Sequence, residues 1–131
     1  MADLNRIDPA SLAKPSGFSH AVVGRGTAVF LAGQTGTDAD GAVVEGGVVG
    51  QFEQALANLL VALAEAGGTP DRLASLTIYV VDMDDYRARA REIGEVWKRL
   101  VGIDYPAAAG IGVSRLWDAE ALVELQGIAV L

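Results

Sequence analysis

The chain has 131 residues, a hydrophobic fraction of 51%, no cysteine and a formal net charge of −7. Its length predicts one domain over residues 1–131. The composition excludes disulfides and thiolate sites, and the acidic balance argues against a nucleic-acid partner, because such partners are bound largely through Lys and Arg.

The N-terminus has no basic and apolar leader, and no apolar run reaches the roughly 18–20 uninterrupted residues of a membrane helix. With the absence of cysteine, these features predict a cytoplasmic protein that has no membrane partner. His20 is the single histidine, so neither a metal site based on several histidines nor a serine-hydrolase triad is expected.

The first third of the chain predicts an arm followed by two short strands. Residues 1–17 are rich in turn residues and predict an arm laid on the domain. Phe18–Val23 and Thr27–Ala32 read as strands, and Gly24–Gly26 between them is typical of a hairpin turn. Asp38–Gly41 predicts another turn.

An amphipathic helix of about five turns is predicted from Gly47 to Ala66, because its apolar residues recur at three- and four-residue steps. Gly67 and Gly68 end this helix, and Pro70 prevents its continuation.

The remaining elements are a strand, a helix and two strands. Leu73–Val81 is apolar on both faces at its end and predicts a central strand. Asp82–Asp85 supplies capping residues for a second helix from about Asp84 to Leu100. The predicted inward stripe of that helix is Tyr86, Ala90, Ile93, Trp97 and Leu100. The last strands are Ala107–Val113 and Ala121–Val130.

This order predicts an α+β two-layer sandwich, with a mixed β-sheet that two helices cover on one face. The residue pattern of the last strand indicates whether the other face is buried. Its alternate rows are Ala121, Val123, Leu125, Gly127 and Ala129 on one side, and Leu122, Glu124, Gln126, Ile128 and Val130 on the other. Both rows are mostly apolar, so the uncovered face is expected to pack against other copies in a homo-oligomer.

Several segments of the chain resemble, in their order and spacing, the Rid (YjgF-like) family of reactive-intermediate deaminases. They are Gly17–Val22, Val29–Gln34, Gln51–Gly67, Ile78–Tyr86, the Tyr105-Pro106-Ala107 frame and the strand Val123–Val130. The resemblance implies a chorismate-mutase-like fold and a homotrimer with small-molecule clefts at its subunit interfaces. It also implies hydrolysis of enamines and imines, such as 2-aminoacrylate, to a 2-keto acid and ammonia, without a metal or organic cofactor.

The resemblance carries the family's catalytic glutamate onto Glu124 but places Ala108 where active members have an arginine that binds the substrate carboxylate. The other ligand-binding positions implied by the resemblance are Phe18 for a tyrosine, Ala32 for a serine, Ala90 for an asparagine, and Gly110 for a cysteine found in some members. Arg115 is a further ligand-binding candidate, although residue 115 lies seven positions from 108, and on a regular strand the two would face opposite sides.

These substitutions leave more than one function open. The first is a divergent deaminase with weak activity on 2-aminoacrylate, whose substrate is less anionic or more apolar than a free amino-acid imine. Whether Arg25 or Arg115, of the same or a neighbouring subunit, compensates for the absent guanidinium stays open. The alternative is a non-catalytic trimer that binds a small ligand or acts as a scaffold. Ribonuclease or translation-inhibition activity has been attached to the family, but the net charge of −7 argues against it here.

Overall fold

The computed structural model describes residues 4–131, and its elements alternate between strands and helices. The strands are β1 (Asn5–Ile7), β2 (Ala21–Val23), β3 (Ala28–Thr35), β4 (Leu73–Val80), β5 (Ala107–Gly112) and β6 (Val123–Val130). The helices are α1 (Gly47–Glu65), α2 (Met83–Ala88) and α3 (Ala90–Leu100), and a short 3-10 turn spans Pro70–Arg72.

The main sheet has four strands in the order β3-β6-β4-β5. β4 and β5 are parallel, whereas β6 is antiparallel to both of its neighbours, so the sheet is mixed. β4 is central, as the sequence predicts. The helices pack on one face of this sheet and complete the predicted two-layer α+β sandwich.

α1 has the bounds expected from its periodicity. Phe52, Leu56, Leu59 and Leu63 are buried against the sheet, which explains why a helix apolar enough to pass for a membrane span packs inside this domain. At the end of the helix, the backbone N–H groups of Gly67 and Gly68 donate hydrogen bonds to carbonyls of the last turn. The Gly68 N–H donates to the Leu63 carbonyl at 2.9 Å. This arrangement is a Schellman motif, which needs the left-handed backbone that glycine adopts easily.

The single second helix predicted from the sequence is in fact two helices that meet at Arg89. Asp82 caps the first of them, since its Oδ1 accepts a hydrogen bond from the Asp85 backbone N–H at 3.1 Å. Arg89 has φ −102 and ψ 12, which lie outside the helical region and bend the chain between α2 and α3. The bend needs no Gly or Pro, so composition gave no signal for it.

The predicted hairpin between the first two strands is wrong. β2 pairs with β1, inside the segment expected to be an arm, while β3 pairs with β6. The Gly24–Gly26 turn instead carries the chain from the small sheet to the main one. Thr27 and Leu131 exchange backbone hydrogen bonds of 2.8 Å there. Short strands choose partners by tertiary packing, and a local turn motif does not reveal that choice.

The two faces of the main sheet differ sharply in burial. On the closed face, under the helices, Val123, Leu125 and Ala129 are fully buried. On the open face, Phe30 lies opposite Ile128 and the two remain 79% and 39% exposed. Within residues 4–131, the second row of β6 is therefore exposed at Gln126 and Ile128 and half-buried at Leu122, Glu124 and Val130.

Candidate functional site

A cleft of about 630 Å³ opens on the closed side of the sheet, between β5 and the two helices α2 and α3. Its lining is mostly apolar and aromatic. Its walls include Phe18, Phe52, Leu76, Tyr86, Ala90, Trp97, Tyr105, Ala108 and Gly110, with Arg91, Glu95 and Lys98 from α3. A concave, largely apolar pocket with a few polar groups is the usual form of a small-molecule site.

Strand register fixes which side of β5 faces the cleft. Ala108 pairs with Leu76 of β4, whose side chain is buried on the closed face. Because paired residues of neighbouring strands point to the same face, Ala108 lines the cleft, and Gly110, two residues on, does so as well. Neither residue has a polar side chain, so backbone atoms and the Ala108 methyl group form this wall of the cleft.

The N-terminal segment closes the outer end of the cleft. Ser19 donates a hydrogen bond from its hydroxyl to the Tyr105 carbonyl at 2.7 Å, and from its backbone N–H to the Pro106 carbonyl at 3.0 Å. These bonds hold the segment beside β5 and place Phe18 in the cleft lining. Four of the positions predicted for ligand binding, namely Phe18, Ala90, Ala108 and Gly110, thus share one cleft.

Glu124 and Ala32 lie elsewhere. Glu124 pairs with Tyr79 of β4, three residues from Leu76, so its side chain is on the open face. The carboxylate lies over the β3 bulge that follows Leu31, where a Cβ on Gly33 would overlap Glu124 Oε1. Ala32 belongs to the same bulge. Within one chain, the glutamate and the Ala108 cleft are on opposite sides of the sheet.

Glu124 is only half-buried, and its carboxylate makes no hydrogen bond or ion pair with residues 4–131. A carboxylate in this otherwise apolar row of β6 would need a partner if it were fully buried. The open face removes that need, because water reaches the half-buried Glu124 side chain.

Neither arginine considered as a replacement reaches the cleft. Arg115 lies in the loop between β5 and β6 and donates hydrogen bonds to the carbonyls of Leu116 (3.2 Å) and Trp117 (3.3 Å). It stabilises its own loop, and it is absent from the cleft lining. Arg25 is exposed in the turn before β3.

The cations that do reach the cleft are on α3, and sequence reasoning did not select them. Arg91 is 94% exposed and forms an ion pair with Glu95 at 3.8 Å, and Lys98 is also exposed. These charges form the rim of the cleft, where water screens them. Arg91, Glu95 and Lys98 follow one another at spacings of four and three residues on one helix, and this spacing was the sequence signal for a shared charged surface.

Aromatic side chains form the interior of the cleft. Tyr86 packs edge-on against Phe52, with ring centroids 6.3 Å apart, and Trp97 stacks on Tyr105 at 6.2 Å. Burial raises the pKa of Tyr86 from its usual 10.0 to about 12, because the phenolate would lose hydration. Tyr86 and Trp97 were expected to be core residues of their helix, but they also line the cleft.

No group of three or more His, Asp or Glu side chains converges within residues 4–131 to hold a metal ion. The chemistry available to the cleft therefore consists of apolar contact, stacking and hydrogen bonding from neutral groups, with charge at its rim.

Comparisons with known proteins give a consistent result. The model of the family described as Endoribonuclease L-PSP matches residues 9–131. The RutC family protein UK114 of Drosophila melanogaster is 35% identical over 126 residues, covering 95% of this chain and 87% of its own. A 2-iminobutanoate/2-iminopropanoate deaminase of Capra hircus is 33% identical over 103 residues, covering 78% of this chain and 72% of its own.

Among solved structures, the Rid-family protein YyfB of Yersinia pestis superposes with a TM-score of 0.88 and 34% identity. The match covers 99% of this chain and all of that one. RidA of the Antarctic bacterium Psychrobacter has a TM-score of 0.71 and 27% identity, with 91% and 92% of the two chains covered. The family match over almost the whole sequence and the shared fold show that this chain belongs to the Rid (YjgF/RutC) family.

Proposed function

We propose that this protein is a homotrimeric imine and enamine deaminase whose substrate lies in the Ala108 cleft and whose proton-transfer group is Glu124 of a neighbouring copy. Relatives described as 2-iminobutanoate/2-iminopropanoate deaminases support the reaction class. The observation that carries the proposal is the position of Ala108 inside an apolar cleft of substrate size.

The arrangement between copies is supported by the two faces of the sheet. Glu124 and Ala108 cannot meet within one chain, because they lie on opposite faces. The open face also carries apolar side chains, Phe30 and Ile128, that a second copy would bury. A trimer that covers the open face of each chain with the cleft edge of the next brings the two halves of the site together.

In the proposed reaction, water adds to the carbon of the C=N bond, the C–N bond then breaks, and the products are a carbonyl compound and ammonia. An enamine first takes a proton on carbon and loses one from nitrogen, which gives the imine. The Glu124 carboxylate accepts a proton from the attacking water and passes it to the imine nitrogen, and it then transfers the remaining hydroxyl proton of the adduct to the departing nitrogen as the carbonyl forms. No redox step is involved.

Ala108 determines which imines react well. An arginine at this position would bind a substrate carboxylate through two charge-assisted hydrogen bonds, and alanine removes both. The loss corresponds to roughly 1.5–3 kcal/mol, or about one to two orders of magnitude in turnover. We therefore expect weak activity on 2-aminoacrylate and on 2-iminobutanoate.

The test generates 2-iminobutanoate in situ with an amino-acid oxidase and follows the decay of the imine. We expect slow clearance by the wild type, clearance faster by about ten- to a hundred-fold in Ala108→Arg, and no enzymatic clearance in Glu124→Gln. If the wild type already clears this imine at the rate of Ala108→Arg, then the role given to residue 108 is wrong.

A non-catalytic ligand-binding trimer is the second candidate, and one observation favours it. The four family positions that meet in the cleft are Phe18, Ala90, Ala108 and Gly110, and none of them has a polar side chain. Under this alternative, the trimer binds small ligands, and Glu124→Ala changes neither binding nor imine decay.

An RNA substrate is not part of the proposal, although the family description contains the word endoribonuclease. Two arginines of the α2–α3 region are paired with acids: Arg89 with Asp85 (3.8 Å) and Glu92 (3.4 Å), and Arg91 with Glu95. Their positive charge is thus locally offset in a chain of net charge −7.

A further inference from the structure

Two hydrogen-bond donors in the cleft walls have no acceptor among residues 4–131. One is the indole N–H of Trp97, whose nitrogen is buried within a residue that is only 6% exposed. The other is the hydroxyl of Tyr86, which makes no hydrogen bond with the described residues. The Trp97 N–H is a buried donor without an acceptor, which is costly. The Tyr86 hydroxyl belongs to a half-buried side chain and is accessible to a ligand or a water.

The surroundings of Tyr86 keep this donor neutral. Its ring contacts the fully buried Phe52, and its raised pKa of about 12 keeps the hydroxyl protonated at any physiological pH. A phenol in an apolar wall donates well to a neutral carbonyl oxygen. It does not supply the positive charge that would offset the desolvation of a carboxylate.

The charged side chains of the cleft are at its rim and not in its interior. Arg91 already has Glu95 as a partner, and both are largely exposed. Lys98 is exposed on the same helix. A ligand carboxylate in the interior of the cleft would lose its hydration and its attraction to the cations at the rim, whereas a neutral group has no such loss.

We propose that the cleft selects a neutral ligand, in which a planar apolar or aromatic group lies beside the Trp97–Tyr105 stack and a carbonyl oxygen accepts a hydrogen bond from Tyr86. Amide-bearing or ester-bearing imines and enamines are the corresponding substrate class, in place of free 2-imino acids. The ligand preference rests on the proposed function only in taking this cleft as the substrate site.

Trp97 provides a direct reporter of binding. The chain has two tryptophans, and the other, Trp117, is 92% exposed in the loop between β5 and β6. In a Trp117→Phe background, Trp97 is the remaining tryptophan, and its fluorescence can be excited apart from that of the tyrosines. Benzamide and benzoate form a matched pair of probes, because they share size and planarity and differ in charge.

We expect benzamide to quench Trp97 and to bind at least about ten-fold more tightly than benzoate, since the carboxylate must be desolvated. Tyr86→Phe should weaken benzamide binding by about five- to ten-fold, the effect of losing one hydrogen bond. The matched control, Tyr79→Phe, removes a hydroxyl on the open face of β4, where it donates to Gln126 Oε1 at 3.3 Å, and should change benzamide binding by less than about two-fold.

Three results would overturn the proposal. The first is benzoate binding that equals benzamide binding and is lost in Lys98→Gln, which would mean that a charged residue at the rim holds the ligand. The second is unchanged benzamide affinity in Tyr86→Phe. The third is an absence of quenching by either probe. Because the readout is binding, a failure of imine hydrolysis with benzamide binding intact would remove the deaminase proposal and leave this one standing.

Discussion

The closed and open faces of the main sheet belong to the same four strands but differ in what they can do. On the closed face, the helices bury Leu125 completely and leave a cleft beside β5, the edge strand next to α2 and α3. On the open face, Phe30 is 79% exposed and Glu124 only half-buried among residues 4–131.

This difference shows that one face can complete a core within a single chain while the other remains an incomplete site. The cleft has shape and hydrogen-bond donors but no carboxylate in its interior, whereas the open face has a carboxylate but no pocket around it. The proposed trimer is the simplest arrangement that joins them. The following predictions test the contrast between the faces, from the largest expected effect to the smallest.

Leu125→Ala, on the closed face of β6, should lower the free energy of unfolding by about 2–5 kcal/mol, because it leaves a cavity in the core. The matched change on the open face of the same strand is Ile128→Ala, which should cost less than about 1 kcal/mol in dilute protein. Urea unfolding of both variants measures the contrast. Equal losses would mean that the two faces are not different in the isolated chain.

Phe30→Asp should disrupt the proposed trimer, since it places a charge among the apolar side chains of the open face. We expect association to weaken by about 2 kcal/mol or more, the scale of an interface hot spot. Analytical ultracentrifugation gives the mass. Val61→Asp is the control, because Val61 is 69% exposed on the outer side of α1. A Phe30→Asp protein that remains trimeric would show that another surface holds the copies together.

At alkaline pH, the free energy of unfolding of Tyr86→Phe should fall less steeply with pH than that of the wild type. The folded protein raises the pKa of Tyr86 to about 12, so the folded state holds this proton more tightly than the unfolded state. Its stabilising contribution is complete below about pH 10 and is lost as pH rises towards 12. The wild type should therefore lose up to about 1.4 kcal/mol per pH unit relative to the variant in that window. Urea unfolding between pH 9 and 12 tests this, and parallel curves for the two proteins would contradict it.

Asp82→Ala should cost about 1 kcal/mol, because it removes the cap of α2, the helix that holds Tyr86 at the cleft. Asp84→Ala is the control, since Asp84 is in the first turn of the same helix but makes no capping bond. We expect the control to lose only a few tenths of a kcal/mol through the helix dipole. Thermal unfolding compares them, and a larger loss in the control would show that α2 is held by charge alone.

Local patterns in the sequence predicted the elements well where one helix or strand is dictated by its own residues. The three- and four-residue steps of Gly47–Ala66 gave α1, and the paired glycines after it gave its end. The same local signals failed for the β2–β3 hairpin and for the break at Arg89. Strand partners and helix bends depend on distant packing, which no window of sequence contains.

The candidate site divides in the same way. The resemblance selected Ala108 and Glu124 by position in the chain, but it could not show that they lie on opposite faces. That follows from the register of β4 with its two neighbours, where the partners of Ala108 and Glu124 are an odd number of residues apart. The α3 charges and the Tyr86 hydroxyl became visible only once the helices were placed over β5.

The sequence by itself determined the two-layer fold, because the fold follows from residue types and their periodicity along the chain. Its resemblance to the Rid family indicated the family and implied that Ala108 stands where active members have an arginine. The tertiary structure decided which side of the sheet each group faces, that the open face lacks a cover, and that the cleft interior holds neutral donors while its charges stay at the rim. Those features arise from strand register and helix packing, which bring together residues that are far apart in sequence.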